Sequence, residues 1–302
     1  VELAATDDRV MLLTADLGWS VVEPFALAYP RRFVNVGVAE QNMVGIATGL
    51  ARVGWVPYVY SIATFSSMRC YEQIRNGPVL HRLPVRVLGI GGGYAYGHAG
   101  PTHHALEDLA LMRTQPGLSV VVPADRPQAC AAVRAAHALP GPVYLRIAKS
   151  AGPAVAGLNG RFAWDRPELV RPGRGVLLMC TGEIVHEALR AADMLADDGM
   201  SPAVAALAHL GSRPGDLVTA MLARFELVLT VEEAYVNGGL GSLAAEAIAE
   251  ASLPTRLVRC GVTSTFPPLT GSTQYLRGQC GLTAEQLAAQ VREQRRARRL
   301  AA

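Results

Sequence analysis

Short apolar runs rich in β-branched residues recur along this chain, at 10–13, 33–38, 56–60, 85–90, 119–122 and 143–147, alternating with stretches of helical period. A strand that must return to lie parallel to the one before it needs a crossover, and a helix is the usual one. The rhythm therefore predicts parallel sheets with helices packed on their faces. It breaks once. From Ala148 the sequence reads AKSAGPAVAGLNGRFAWDRPELVRPGRG, which has neither period and is rich in Gly, Pro and Arg. Alternation then resumes, with apolar runs at 176–180, 201–207, 227–231 and 255–259. The expected fold is α/β with two doubly wound domains, a first over 1–150 and a smaller second over 173–302, joined by a linker at 151–172.

Composition narrows the function classes. A chain of 302 residues, 50% hydrophobic and 18% charged, can build two domains with large cores. A net charge of +3 is too small to argue for nucleic acid. The basic run RRARRL at 295–300 reads as a solvated helix end, not an RNA or membrane patch. No apolar run is long enough to span a bilayer and no signal-peptide pattern opens the sequence, so the expected location is cytoplasmic. The five cysteines, at 70, 130, 180, 260 and 280, are scattered without a CxxC pair. They read as reduced, mostly buried thiols, and no metal site is expected in this chain. Lys149 is the single lysine among 28 basic residues and reads as codon bias.

One carboxylate stands out. In VGVAEQNMVGIATGLA (36–51), Glu40 lies between the apolar run 33–38 and a small-residue helix. Met43, Ala47, Leu50 and Ala51 share one helical face, and Gly45 and Gly49 are expected to let another backbone come close. Glu40 thus falls at the carboxyl end of a strand, in the first turn of a helix, where a negative charge suits the dipole.

This segment, with YEQIRN (71–76), GPTHHALEDLALMRTQPGLSVVVPAD (100–125), LLMCTGEIVHEAL (177–189) and TVEEAYVNGGLGS (230–242), resembles the pyrimidine-binding and carboxy-terminal domains of thiamine-diphosphate enzymes of the transketolase family. The likeness runs in register from about Thr14 to the Gly-Leu-Thr at 281–283. It is strongest to the carboxy-terminal half of transketolases split over two genes. What the resemblance implies is specific. Glu40 would hydrogen-bond the aminopyrimidine ring nitrogen of thiamine diphosphate, a charge-assisted contact strengthened in a dry site. Ile62, Phe65 and Met68 would cover the pyrimidine, and Asp16 and Leu17 of TADLGWS would lie close to the cofactor. His103 would approach the donor's hydroxyl and carbonyl oxygens, and Glu40 and His103 form the expected catalytic pair. Ser20 and Arg146 would hold a substrate phosphate, since a guanidinium offers a planar fork of donors.

The loop before GPTHH departs from the family's T-H-D-x-x-x-G-E-D-G-P-T-H-Q. Gly91 stands where its first His would be and Ala99 where its Asp would be, while His98 and His104 are additions that could compensate. The family's GDG…N motif, which holds the diphosphate through Mg2+ or Ca2+, has only Asp198-Gly199 as an approximation. The expectation is therefore a shared site, completed by an amino-terminal transketolase-like subunit carrying that motif, in an α2β2 assembly. The activity implied is transfer of a two-carbon ketol (hydroxyacetyl) unit from a ketose phosphate to an aldose. A variant would pass it to a lipoyl group or acyl carrier protein in specialised metabolism, where a sugar-reading His and Asp are not needed. Two alternatives stay open: the beta subunit of a 2-oxoacid dehydrogenase decarboxylase, which shares the GxAEQ glutamate, and a non-catalytic scaffold subunit.

Overall fold

The structure, a computed structural model, describes every residue except 151, 264, 265, 267, 268 and 302, and only the backbone at 298–301. Among the described residues, twelve strands form two sheets. The first sheet draws on β1 (Val10–Thr14), β2 (Phe33–Asn35), β3 (Val56–Ile62), β4 (Arg86–Ile90), β5 (Ser119–Val121) and β6 (Val143–Ile147). The second draws on β7 (Glu168–Arg171), β8 (Val176–Cys180), β9 (Ala203–Ala206), β11 (Leu227–Tyr235) and β12 (Arg256–Val262), while β10 (His209–Leu210) crosses back to the first. Their orders are β10-β5-β6-β4-β3-β1-β2 and β12-β11-β8-β9-β7. Every pairing of these strands is parallel except β10 with β5 and β7 with β9.

Register explains why the first sheet sits where it does. Val34, Leu13, Val59, Val87, Tyr144, Val120 and Leu210 stand side by side across all seven strands. All but Val34 are fully buried. The helix Glu40–Arg52 lays Met43, Ala47 and Ala51 on that core, as its period predicted, with Val44 buried beside them and Leu50 partly buried against it. The Tyr144 hydroxyl, carried into this apolar row, donates to Asp108 Oδ2 at 2.7 Å, so the burial leaves no idle donor.

Three local expectations are corrected. The run 33–38 is a strand only to Asn35, because Gly37, at φ +73°, turns the chain into the helix. Gly45 and Gly49 are exposed with open space where a Cβ would go, so no described backbone of this chain approaches them. The supposed linker contains β7. Its apolar pair Leu169-Val170 is flanked by charge, and Glu168 takes ion pairs from Arg161 and Arg166. Asp198-Gly199 ends a helix, with Gly199 at φ +75° and Asp198 bonded to Arg292 at 2.7 Å. Cys130 is exposed, as are Arg295 and Arg296 at the start of the basic run.

Candidate active site

The chain reverses direction across the first sheet at β1, which has β2 on one side and β3 on the other. Ligands of open α/β sheets bind beyond the carboxyl ends of strands at such a point. Here those ends lead into Asp16-Leu17 after β1, Glu40 after β2, Phe65 after β3, the loop 91–104 after β4 and Lys149 after β6.

Glu40 is 4% exposed. Arg69 Nη1 donates to both its oxygens, at 3.1 and 3.3 Å, and Ser61 Oγ lies 3.5 Å from Oε1. The same guanidinium lies over Phe65, 3.7 Å from the ring centroid. Phe65 also receives the edge of His103 at 5.1 Å between centroids. A carboxylate and an aromatic ring therefore make a seat for a flat, N–H-bearing group, and Arg69 occupies it. The sequence pattern did not single out Arg69; its place four residues after Phe65 on a turn of helix was the available signal.

The other expected cofactor contacts are distributed around this seat. Ile62 is buried at the end of β3 and Met68 is half-buried in the turn carrying Phe65 and Arg69. Asp16, exposed and at φ +56°, is held by Asn35, whose side-chain nitrogen donates to Asp16 Oδ1 at 3.0 Å. The side-chain carbonyl of Asn35 accepts from the backbone of Asp16 and of Gly37, at 3.1 and 3.0 Å. Asn35, unnoticed in the sequence, thus ties the Asp16 corner to the turn leading into Glu40. The Leu17 carbonyl accepts from Thr14 Oγ1 at 2.7 Å. Ser20 is exposed at φ +64°, its N–H bonded to Glu23 at 2.8 Å.

On the substrate side, His103 is half-buried, its Nδ1 2.9 Å from Thr102 Oγ1 and its carbonyl accepting from Thr64 at 3.3 Å. His98 is exposed. His104 is not a second substrate histidine: its ring is buried edge-on to Tyr94, with Nε2 3.3 Å from the Gly97 carbonyl. Arg146 is engaged by the protein itself. It is 6% exposed, donates to the carbonyls of Ala105 (2.6 Å) and Glu233 (2.9 Å), and pairs with Asp108 at 3.2 Å. Burial pushes the Asp108 carboxyl up against the opposing pull of that arginine.

Two unexpected residues meet here: Tyr96, near His103, and Lys149, near Tyr96. Tyr96 leans over Gly91, so that a Cβ there would come within 2.3 Å of its ring. With φ at +72°, Gly91 has no room for a histidine. Lys149 is exposed just past β6 with Nζ 4.2 Å from the Tyr96 centroid, and His103 lies 6.3 Å from the same ring. Burial raises the Tyr96 and Tyr60 phenols, the second also through its neighbour Tyr96. Lys149, read as codon bias, is thus a cation that shares the Tyr96 ring with His103; its solitude in the composition was the signal.

Comparison with known proteins places this geometry. The family model "Transketolase, pyrimidine binding domain" matches residues 1–154, and "Transketolase, C-terminal domain" matches residues 166–287. The 6-deoxy-6-sulfo-D-fructose transketolase subunit SqwH of Clostridium sp. (strain MSTE9) is 36% identical over 288 residues, covering 95% of this chain and 89% of its own length. An apulose-4-phosphate transketolase subunit of Phocaeicola vulgatus is 34% identical over 262 residues, covering 85% of this chain and 83% of its own. A solved structure described as a split gene transketolase, inactive beta4 tetramer, superposes with a TM-score of 0.86 at 37% identity, covering 97% of this chain and 94% of its own.

Proposed function

The chain belongs to the transketolase family, of which it carries the pyrimidine-binding and C-terminal domains, and from that premise we propose that it is the carboxy-terminal subunit of a split, thiamine-diphosphate-dependent transketolase. The observation that carries the reading is the seat made by Glu40 and Phe65. The group that fills it, the Arg69 guanidinium, is a flat N–H donor, and an aminopyrimidine presents the same feature. Thiamine diphosphate, when bound, supplies the carbon nucleophile that takes up and hands on the two-carbon ketol unit. Glu40 would share a proton with the pyrimidine ring nitrogen, with Phe65, Ile62 and Met68 around the ring and the Asp16-Leu17 corner close by. His103 donates to the oxygens of the transferred unit. Lys149 takes the role first expected of Arg146, facing the anionic end of the donor, with Ser20 and His98 at the rim.

The diphosphate and its Mg2+ or Ca2+ belong on an amino-terminal partner carrying GDG…N. That the relatives are named as subunits supports this reading, as does the inactivity of a tetramer of beta chains alone. An α2β2 assembly follows from pairing two such halves. The names of the relatives favour a sugar phosphate or sulfosugar over pyruvate or a lipoyl or acyl carrier. The test is Glu40→Gln in the reconstituted pair. Gln keeps the size and one hydrogen bond but cannot share a proton in the same way. Turnover of a ketose phosphate is expected to fall roughly 100-fold or more with the fold intact. Near-wild-type turnover would remove Glu40 from the chemistry, and a preference for pyruvate as donor would shift the assignment to a 2-oxoacid decarboxylase.

A further inference from the structure

The second domain reaches into the loop that carries His103, and it does so through one carboxylate. Glu233 lies on β11, in the second sheet, and is only 8% exposed. Its Oε1 accepts from the Tyr94 backbone at 2.6 Å, and its Oε2 accepts from Arg277. Its own carbonyl accepts from Arg146, whose same nitrogen donates to Ala105. Gly93 and Ala105 exchange both backbone hydrogen bonds, at 2.9 and 3.0 Å, closing the loop at its base. Glu233 and Arg146 thus grip both stems of that closure.

Glycine is required for the grip. A Cβ on Gly93 would lie 2.3 Å from Glu233 Oε1, and one on Gly92 would lie 1.8 Å from Arg146 Nε. The glycine run that reads as a loose loop is therefore the clearance needed by two charged side chains. Further contacts from the second domain follow the same segment: Thr273 Oγ1 donates to the Tyr94 carbonyl at 3.0 Å, and the Gly271 N–H to the Gly97 carbonyl at 3.2 Å. Past the tip, the His103 N–H closes on the Gly100 carbonyl at 2.9 Å.

We propose that Glu233 is a positioning residue, through which the second domain fixes the loop 91–104 and with it His103 and Tyr96. Ordinary domain packing would need only apolar contact, whereas a nearly buried carboxylate must be compensated, and truncating one partner of such a pair costs more than the pair gains. Beside it, a cavity of ≈ 40 Å³ lined by Gly92, Arg146, Glu233 and Arg277 has room for water. The inference rests on the proposed role of His103 for its kinetic consequence, but not for its structural one.

The experiment compares Glu233→Leu, Glu233→Gln and Gly93→Ala in the full chain and in its complex with the partner subunit. Hydrogen exchange of the chain alone reads the loop without reference to activity. Glu233→Leu and Gly93→Ala should speed exchange of the amides at 93–105 by about tenfold or more while the β1 and β3 amides are unchanged. Glu233→Gln keeps an acceptor for Tyr94 and should recover most of that protection. In the complex, Leu and Ala should lower kcat/KM for a ketose phosphate by about tenfold or more, with thiamine-diphosphate affinity within about twofold. Unchanged loop exchange, or a loss spread evenly over the whole chain, would overturn the proposal. Faster loop exchange with unaltered kinetics would keep the grip but remove His103 from catalysis.

Discussion

Two cationic positions at one strand end show how a single side chain's surroundings decide its role. Arg146 and Lys149 are three residues apart, yet one is committed to Asp108 and two carbonyls while the other stands in solvent beside Tyr96. The sequence offered both as cations in YLRIAKS; it did not say which faced inward, because the strand's alternation carries a polar residue into the sheet at Arg146. Lys149→Ala in the reconstituted enzyme should raise KM for a phosphorylated donor by about tenfold, since it removes binding common to ground and transition states. An unphosphorylated donor should hardly respond, and equal effects on both would show that Lys149 does not read the anion. The place of Glu40, by contrast, was legible from sequence because strand end and helix start are local features, whereas Phe65 came only through the resemblance, in register with YEQIRN.

At the scale of elements, strands with one clean period were readable and those made by tertiary pairing were not. The core strands β1, β3, β4, β6 and β8 fall within two residues of their expected limits. β7 hides between charges that are paired in the fold, and β10 is two residues long and exists only because β5 presents an edge. A different pair of elements carries a pH response. The Glu232 carboxylate on β11 accepts from the first backbone amides of the helix Leu240–Glu250, at 2.8 Å (Leu240) and 2.7 Å (Gly241). Burial nevertheless pushes its pKa up from 4.5 to about 7, against the pull of those amides. Because the folded value is the higher one, the protonated fold is favoured: this contribution is complete below pH 4.5 and is lost as pH rises through about 7. Denaturant titrations of the chain should show unfolding free energy falling by up to about 3 kcal/mol over that interval. Glu232→Gln should flatten the slope while lowering overall stability, since one backbone donor loses its acceptor. A variant that keeps the full slope would assign the titration to another group.

Over the whole molecule, the site is built beyond the carboxyl ends of the strands of the first sheet and gripped from the second domain, but its outer side is open. Trp19 is 80% exposed three residues from Asp16, and Val38 is 72% exposed two residues from Glu40; Leu27 and Val53 are exposed as well. Large apolar side chains standing in water, Trp19 and Val38 among them within three residues of the site, are what a covering surface would use. The proposed partner with the diphosphate motif would supply that cover; Asp198-Gly199, the approximation to the motif in this sequence, ends a helix. The isolated chain should therefore fold cooperatively, with both cores intact, yet bind thiamine diphosphate poorly. Calorimetric titration to about 100 μM cofactor should give no saturable heat, a free energy weaker than about −5.5 kcal/mol. Adding the partner should produce saturable binding that needs Mg2+ or Ca2+ and is lost on chelation. It should also protect the indole of Trp19 from collisional quenching of its fluorescence, provided the cover closes where the apolar residues stand. Tight binding by the chain alone would mean that these residues suffice to hold the diphosphate, and the shared-site reading would fall. Metal-dependent binding without protection of Trp19 would keep the partner but move its docking surface elsewhere.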